Sequence, residues 1–307
     1  MQQQEVEDWL KRLQDSICGA LEELDGVARF REDAWVREEG GGGRSRILDN
    51  KDSRGVIEKG GVNFSAVHGA TPAFLKKEIL ESYPGVTEEE TAAFLATGVS
   101  LVIHPSSPMV PIVHMNVRYF RVSDKVQWFG GGIDLTPVFV VEDDARYFHS
   151  RLKRACDQHH PEYYREFKKW ADDYFFIKHR DETRGVGGIF FDKLAATPSF
   201  TMEERFRFLQ DVGELFVPVY SEIVKRNRGL SYTREQKEWQ LLRRGRYAEF
   251  NLVYDRGTRF GLETGGRTES ILMSLPPLAQ WTYDFQPAKN TEQEKTLQLL
   301  KKGIDWA

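Results

Sequence analysis

The chain has 307 residues, 40% of them hydrophobic and 29% charged, a globular composition long enough to bury a substantial core. Its net charge of -4 supplies no overall basic field for nucleic acid, and no run of about 18 apolar residues is present to span a membrane. Its two cysteines, Cys18 and Cys156, lack CxxC spacing, which argues against a zinc ribbon, a redox motif or a disulfide framework and fits a reducing compartment.

Residues 1–29 alternate acidic and apolar positions at helical spacing without the Arg-rich, acid-poor character of a transit peptide, so they read as a structural helix. In FREDAWVREEGGGGRSRILDN, Gly40 to Gly43 interrupt a charged segment, which reads as a flexible surface loop; the spacing of a phosphate-binding P-loop is missing. Residues 72–96 look helical and lead into a short strand at 99–103 that ends at His104-Pro105. VPIVHMNVRYFRV, residues 110–122, alternates at period two. One face carries Val113, Met115, Val117 and Tyr119, and the other His114, Asn116 and Arg118.

VQWFGGGIDLTP reads as a further strand, and residues 142–179 as helix broken by His159-His160-Pro161. VGGIFFD, from Val186, is another strand, and residues 202–244 form a helical pair. RYAEFNLVYDRGT reads as a strand with Ala248, Phe250, Leu252 and Tyr254 on one face and Glu249, Asn251, Val253 and Asp255 on the other. GLETGGRTESILMSLPP is expected to continue the sheet, and a helix at 293–302 closes the chain. Runs of strands interspersed with helix pairs predict one α+β domain, a mostly antiparallel sheet covered by helices.

Three glycine clusters lie beside charged residues: GGGID at Asp134, RGVGG after Arg184 and TGGR at Arg267. Bare backbone admits a broad ligand, and arginine forks match carboxylates. Arg243, Arg244, Arg246, Arg256, Arg259 and Arg267 crowd the last third of the chain. The pattern points to a site for a polyanionic, otherwise apolar ligand, although a sheet with one wet face shows the same alternation. GVGGIF is an incomplete dinucleotide fingerprint, no H-E-x-x-H or G-x-S-x-G occurs, and His149 beside Phe148 reads as a core histidine.

Together FREDAWVREEGGGGRSRIL, GGVNFSAVHG, SLVIHP, HMNVRYF, WFGGGIDLTP, DDYFFIKHR, RGVGGIFFD, RRGRYAEFNLVYDRGT and TGGRTESILMSLPP resemble the oxygen-dependent coproporphyrinogen III oxidase family, in order from about Phe30 to the C-terminus. The resemblance implies a large flat sheet sandwiched between helices, a homodimer with FNLVY and SILMSLP near the interface, and oxidative decarboxylation of two propionates to vinyl groups in haem biosynthesis. It further implies that His114 donates a proton and that Ser100, Asn116, Val117, Arg118, Gly265, Gly266 and Arg267 contact substrate. Asp134, Arg184, Asp255 and Arg256 match positions in or beside the pocket.

His104, His114, His149 and His179 match metal ligands proposed in bacterial members, whereas other members are thought to need no metal; the reading adopted takes dioxygen as co-substrate and requires no cofactor. Asp134 or Asp255 is expected to bind the pyrrole N–H groups and assist proton removal, while Arg118, Arg184, Arg256 and Arg267 hold propionates. A pyrrole-bound peroxide would then take hydrogen from the propionate β-carbon. Lys193 replaces the second acid of the family's FFDD, and the absence of a presequence leads us to expect a cytoplasmic enzyme. The competing readings are a metal-dependent oxidase using the four histidines and a tetrapyrrole carrier without chemistry.

Overall fold

The computed structural model describes residues 2–50, 54–263 and 266–307. Helix α1 (Gln3–Asp25) buries Val6, Trp9, Leu10, Leu13, Ile17 and Leu21, an apolar stripe at helical spacing, and ends at Gly26 in the left-handed region. Strands β1 (Arg31–Val36), β2 (Gly41–Asp49), β3 (Ile57–Ala70), β4 (Ala93–Pro105), β5 (Ile112–Arg121) and β6 (Gln127–Thr136) follow, with α2 (Ala73–Ser82) between β3 and β4. Each strand pairs antiparallel with the next. After α3 (Glu142–Asp157), α4 (Tyr163–Tyr174) and the two-residue strands β7 (Phe176–Ile177) and β8 (Glu182–Thr183), β9 (Gly187–Leu194) closes the sheet beside β6. Helices α5 (Met202–Asn227), α6 (Arg234–Val253), α7 (Arg256–Glu263), α8 (Thr268–Leu272) and α9 (Glu292–Leu299) complete the chain.

The α+β expectation holds: a seven-stranded antiparallel sheet lies between helices. On one face Val113, Met115, Val117 and Tyr119 enter the main core with α1 and α5, where Phe129 stacks on Phe206 at 5.6 Å. Helix α4 runs along the β9 edge, with Phe167 5.4 Å from Phe191, and so shields that edge from pairing. Over the opposite face lies α6, whose Tyr247 packs with Val102 and Ile112.

Three local expectations are corrected. The glycine run is no loop: Gly40 and Gly41, at φ 125 and 86, turn the chain, and Gly41 to Gly43 belong to β2. Strand β4 begins at Ala93, inside the stretch expected to be helical. Most consequentially, RYAEFNLVYDRGT is no strand but the end of α6 and the start of α7, and SIL lies in α8. The helical pair expected to end at Arg244 runs further: a capping box, Thr233 with Gln236, starts a helix that continues to Val253.

Helix α6 also carries a buried cation. Arg244 is fully buried, its Nη2 donating to Glu58 at 2.6 Å and to the Pro105 carbonyl at 2.9 Å. Substituting Glu58→Ala strands that charge, and urea denaturation is expected to show a loss of about 3–5 kcal/mol.

Candidate active site

On the face under α6 the antiparallel register aligns side chains in rows across the strands. Ser45, Asn63, Ser100, Asn116 and Gly132 form one row. Gly43, Ser65, Gly98, Arg118 and Gly130 form the next, and Gly61, Val102, His114 and Asp134 a third. The result is a floor of hydroxyls, amides and bare backbone. Val117 contributes only backbone to it, since its side chain is buried in the opposite core.

The glycines, however, make room for the protein's own side chains. A Cβ at Gly130 would lie 2.6 Å from Asp192 and 2.9 Å from Arg118, and one at Gly61 would overlap Met273. The expectation that the glycine clusters lie bare for a ligand is therefore revised at Gly130, in GGGID.

Asp134 ends that third row and is 1% exposed. Arg184 donates through Nη2 to both of its oxygens at 2.8 Å, and His114 Nδ1 lies 2.8 Å from Oδ1. Burial works to raise the Asp134 pKa, but the Arg184 charge and the hydrogen bonds from His114 and Arg184 outweigh it and hold the carboxyl below its ordinary range. Arg184 is itself 3% exposed, donates through Nη1 to Asn251 Oδ1 at 2.9 Å, and sits 4.4, 4.6 and 4.7 Å from the rings of Phe175, Tyr247 and Phe250. Its fork is occupied. Arg184 is thus placed to orient Asp134 and is not free to hold a propionate, which corrects the sequence expectation.

Asp255 reaches the same area by another route. It caps α7, accepting the Thr258 N–H at 2.7 Å, and accepts the Tyr174 hydroxyl at 2.8 Å. Tyr174 stacks on Phe190 at 4.3 Å with an interplanar angle of 12°, and Phe190 pairs with Gly132 on the floor. Burial and the neighbouring Asp255 charge push the Tyr174 phenol up to about 12. Arg118 donates to Asn116 at 2.8 Å, pairs with Asp192 at 3.0 Å and lies 6.0 Å from the Phe190 ring. His114, Arg118 and Asp255 therefore converge on one aromatic group, with His114 6.1 Å from Phe175 and Phe175 6.2 Å from Phe190.

Arg256 is exposed, 5.0 Å over the Tyr174 ring, and has no carboxylate partner among the described residues. Arg267 pairs with Asp33 on the β1 edge, and the Gly266 N–H donates to Gly261 O at 2.7 Å, so both lie toward the far side of the floor. There Ser270 meets Ser45 at 2.7 Å and accepts from Asn63 at 2.8 Å. Gly265 lies outside the described residues. Lys193 turns from the site to Glu78 at 3.2 Å, while Asp192 keeps Arg118.

The four histidines do not converge. His104 is buried against the Ser274 carbonyl at 2.8 Å, and burial lowers its pKa to about 3. His149 lies between the Tyr164 hydroxyl and the Val186 carbonyl, lowered to about 4 by burial, and His179 contacts Tyr254 and Glu249. These residues do not fit a shared metal ion, and no group of three or more potential ligands occurs among the described residues. Sequence reasoning missed Tyr174, Phe190 and the orienting role of Asn251. The first two stood inside DDYFFIKHR and GGIFFD, where an aromatic run resembles ordinary core.

A seven-stranded antiparallel sheet with helices on both faces, and a buried Asp–Arg–His group on one of them, defines an α+β protein whose site is built on the sheet itself. The family model for coproporphyrinogen III oxidase matches residues 5–306, and the chain belongs to that family. Two similar proteins from Prochlorococcus marinus, strains NATL2A and NATL1A, are both named oxygen-dependent coproporphyrinogen-III oxidase. Each is 46% identical over 316 residues, covering 96% of this chain and 88% of its own.

Proposed function

We propose that the protein is an oxygen-dependent coproporphyrinogen III oxidase that converts two propionates of its substrate to vinyl groups, giving protoporphyrinogen IX in haem biosynthesis. Per propionate, the carboxylate side chain, one dioxygen and one proton become a vinyl group, carbon dioxide and hydrogen peroxide. The observation that carries this reading is the buried, ionised Asp134 held between Arg184 and His114 on the sheet face under α6 in a chain of this family. Dioxygen serves as oxidant with no further cofactor, because the pyrroles of the reduced tetrapyrrole are electron-rich enough to react with it.

In this reading the half-buried Asp255 accepts the pyrrole N–H groups and assists proton removal, while the buried Asp134 holds His114 and Arg184 in place. His114, oriented by Asp134, supplies the proton. Ser100, Asn116 and the floor backbone position the ring, the stacked Tyr174–Phe190 pair supplies an apolar wall, and Arg118 and Arg256 anchor carboxylates. Gly266 and Arg267 serve the opposite rim. The half-exposed Leu252, Val253 and Phe260 suit a homodimer contact. Among the described residues no helix is long and apolar enough to cross a membrane, and the buried free cysteines fit the proposed cytoplasmic location.

Arg256→Ala is expected to raise KM for the porphyrinogen roughly ten- to hundred-fold with little change in kcat, since a charge-assisted anchor of about 1.5–3 kcal/mol is lost from both ground and transition states. Steady-state kinetics check it. The function itself is tested by anaerobic incubation with coproporphyrinogen III and then an oxygen pulse, expected to yield one carbon dioxide per vinyl group. Binding without oxygen uptake would show a carrier instead.

A further inference from the structure

Asp255 and Arg256 carry roles in the reading above, yet neither stands on the sheet. They lie where α6 gives way to α7, and α6 holds this junction only through the Tyr254 and Asp255 N–H groups, which donate to Phe250 O at 2.8 and 3.0 Å. A base carried by a helix junction needs a further contact to keep its place over the floor, because a displacement of about 1 Å can cost roughly 10²-fold in rate. We infer that Tyr174 is a positioning residue whose hydroxyl fixes the Asp255 carboxylate against the sheet, an inference that rests on the oxidase reading above.

Tyr174 has a firm seat from which to do so. Its ring stacks on Phe190 at 4.3 Å with 12° between the planes, and Phe190 lies on β9 opposite Gly132. Phe175 and Phe250 meet the same ring edge-on at 5.0 and 5.9 Å. The hydroxyl then donates to Asp255 Oδ1 at 2.8 Å and accepts the Arg256 N–H at 3.2 Å. Both junction residues are thus referred to β9 through one side chain. The phenol keeps its proton for this purpose, since burial and the Asp255 charge push it up to about 12.

The other carboxylate oxygen, Oδ2, accepts the Thr258 N–H at 2.7 Å. One protein donor on each oxygen fixes the plane of the carboxylate and leaves each oxygen with a further acceptor position. Two acceptors held side by side match the N–H groups of a reduced tetrapyrrole. Without the Tyr174 hydroxyl, Oδ1 loses its donor and the carboxylate turns about its Cβ–Cγ bond with Thr258 alone to hold it.

Tyr174→Phe removes the hydroxyl and keeps the stacked ring, so it tests the contact with little disturbance to the wall. At saturating coproporphyrinogen III and dioxygen it is expected to lower kcat roughly ten-fold, while the anaerobic dissociation constant of the porphyrinogen stays within about two-fold. Introduced into Asp255→Asn, the same change is expected to lower single-turnover vinyl formation no further, because the hydroxyl acts through the carboxylate. Tyr254→Phe is the control: that hydroxyl ties the same junction to His179 at 2.8 Å, and its loss is expected to leave kcat unchanged. An unchanged kcat in folded Tyr174→Phe, a second ten-fold loss in the Asp255→Asn background, or an equal loss in Tyr254→Phe overturns the positioning role while the oxidase reading stands. A wild type that forms no vinyl groups overturns that reading and, with it, the task assigned to Tyr174.

Discussion

Replacing Asp134 with Asn is expected to abolish turnover and to lower the unfolding free energy by about 3–5 kcal/mol, because the buried Arg184 guanidinium loses its counter-charge. Its remaining direct contacts, three aromatic rings and the Asn251 amide, carry no negative charge, and Asp255 acts on it only from farther off. A second variant separates stability from chemistry. In Asp134→Leu with Arg184→Met both charges go together, so stability should largely return while activity stays lost; an active double variant would refute the assignment. The pH dependence follows from the depressed Asp134 pKa. Its stabilisation is complete above the unfolded carboxyl value of about 3.9 and disappears as pH falls through the lower folded value. Urea titrations in steps below about pH 4 should show this loss in the wild type and not in Asp134→Asn.

Asp255→Asn should behave differently. Asparagine caps a helix about as well as aspartate, so Thr258 keeps its acceptor, and the expected stability loss is about 1 kcal/mol from the weakened Tyr174 contact. If Asp255 assists proton removal, turnover should nevertheless fall by roughly 10²–10⁴. Thermal unfolding and single-turnover vinyl formation measure the two effects independently. Near-normal turnover in both asparagine variants would remove the acid–base roles from these residues.

How much of this was legible in the sequence depended on which residues a buried face carries. Strand β5 was readable in full, since Val113, Met115, Val117 and Tyr119 are buried on one face and His114, Asn116 and Arg118 line the other. Helix α6 was misread in its second half for a physical reason. Its buried residues include Gln240, Arg243, Arg244, Tyr247 and Asn251, so the helical period is carried by polar groups that an apolar count ignores. Meanwhile Ala248, Phe250, Leu252 and Tyr254 mimic strand alternation, although Leu252 is exposed. The Thr233–Gln236 capping box was the overlooked local signal. That Asp134, His114 and Arg118 share one sheet face was partly legible, because they sit on paired strands. That Arg184 is consumed by Asp134 depends on contacts between segments fifty residues apart, which no local pattern reveals.

The opposed faces of β5 also bear on how the sheet assembles. A slip of one residue against β4 would drive the imidazole, amide and guanidinium into the packing of α1 and α5 and lift four large hydrophobic side chains toward solvent. Both errors are costly, so misaligned pairings are penalised twice during folding. The polar groups of this face thereby act as proofreaders of alignment, and exchanging them for small apolar residues would relax that check even where no substrate is ever bound.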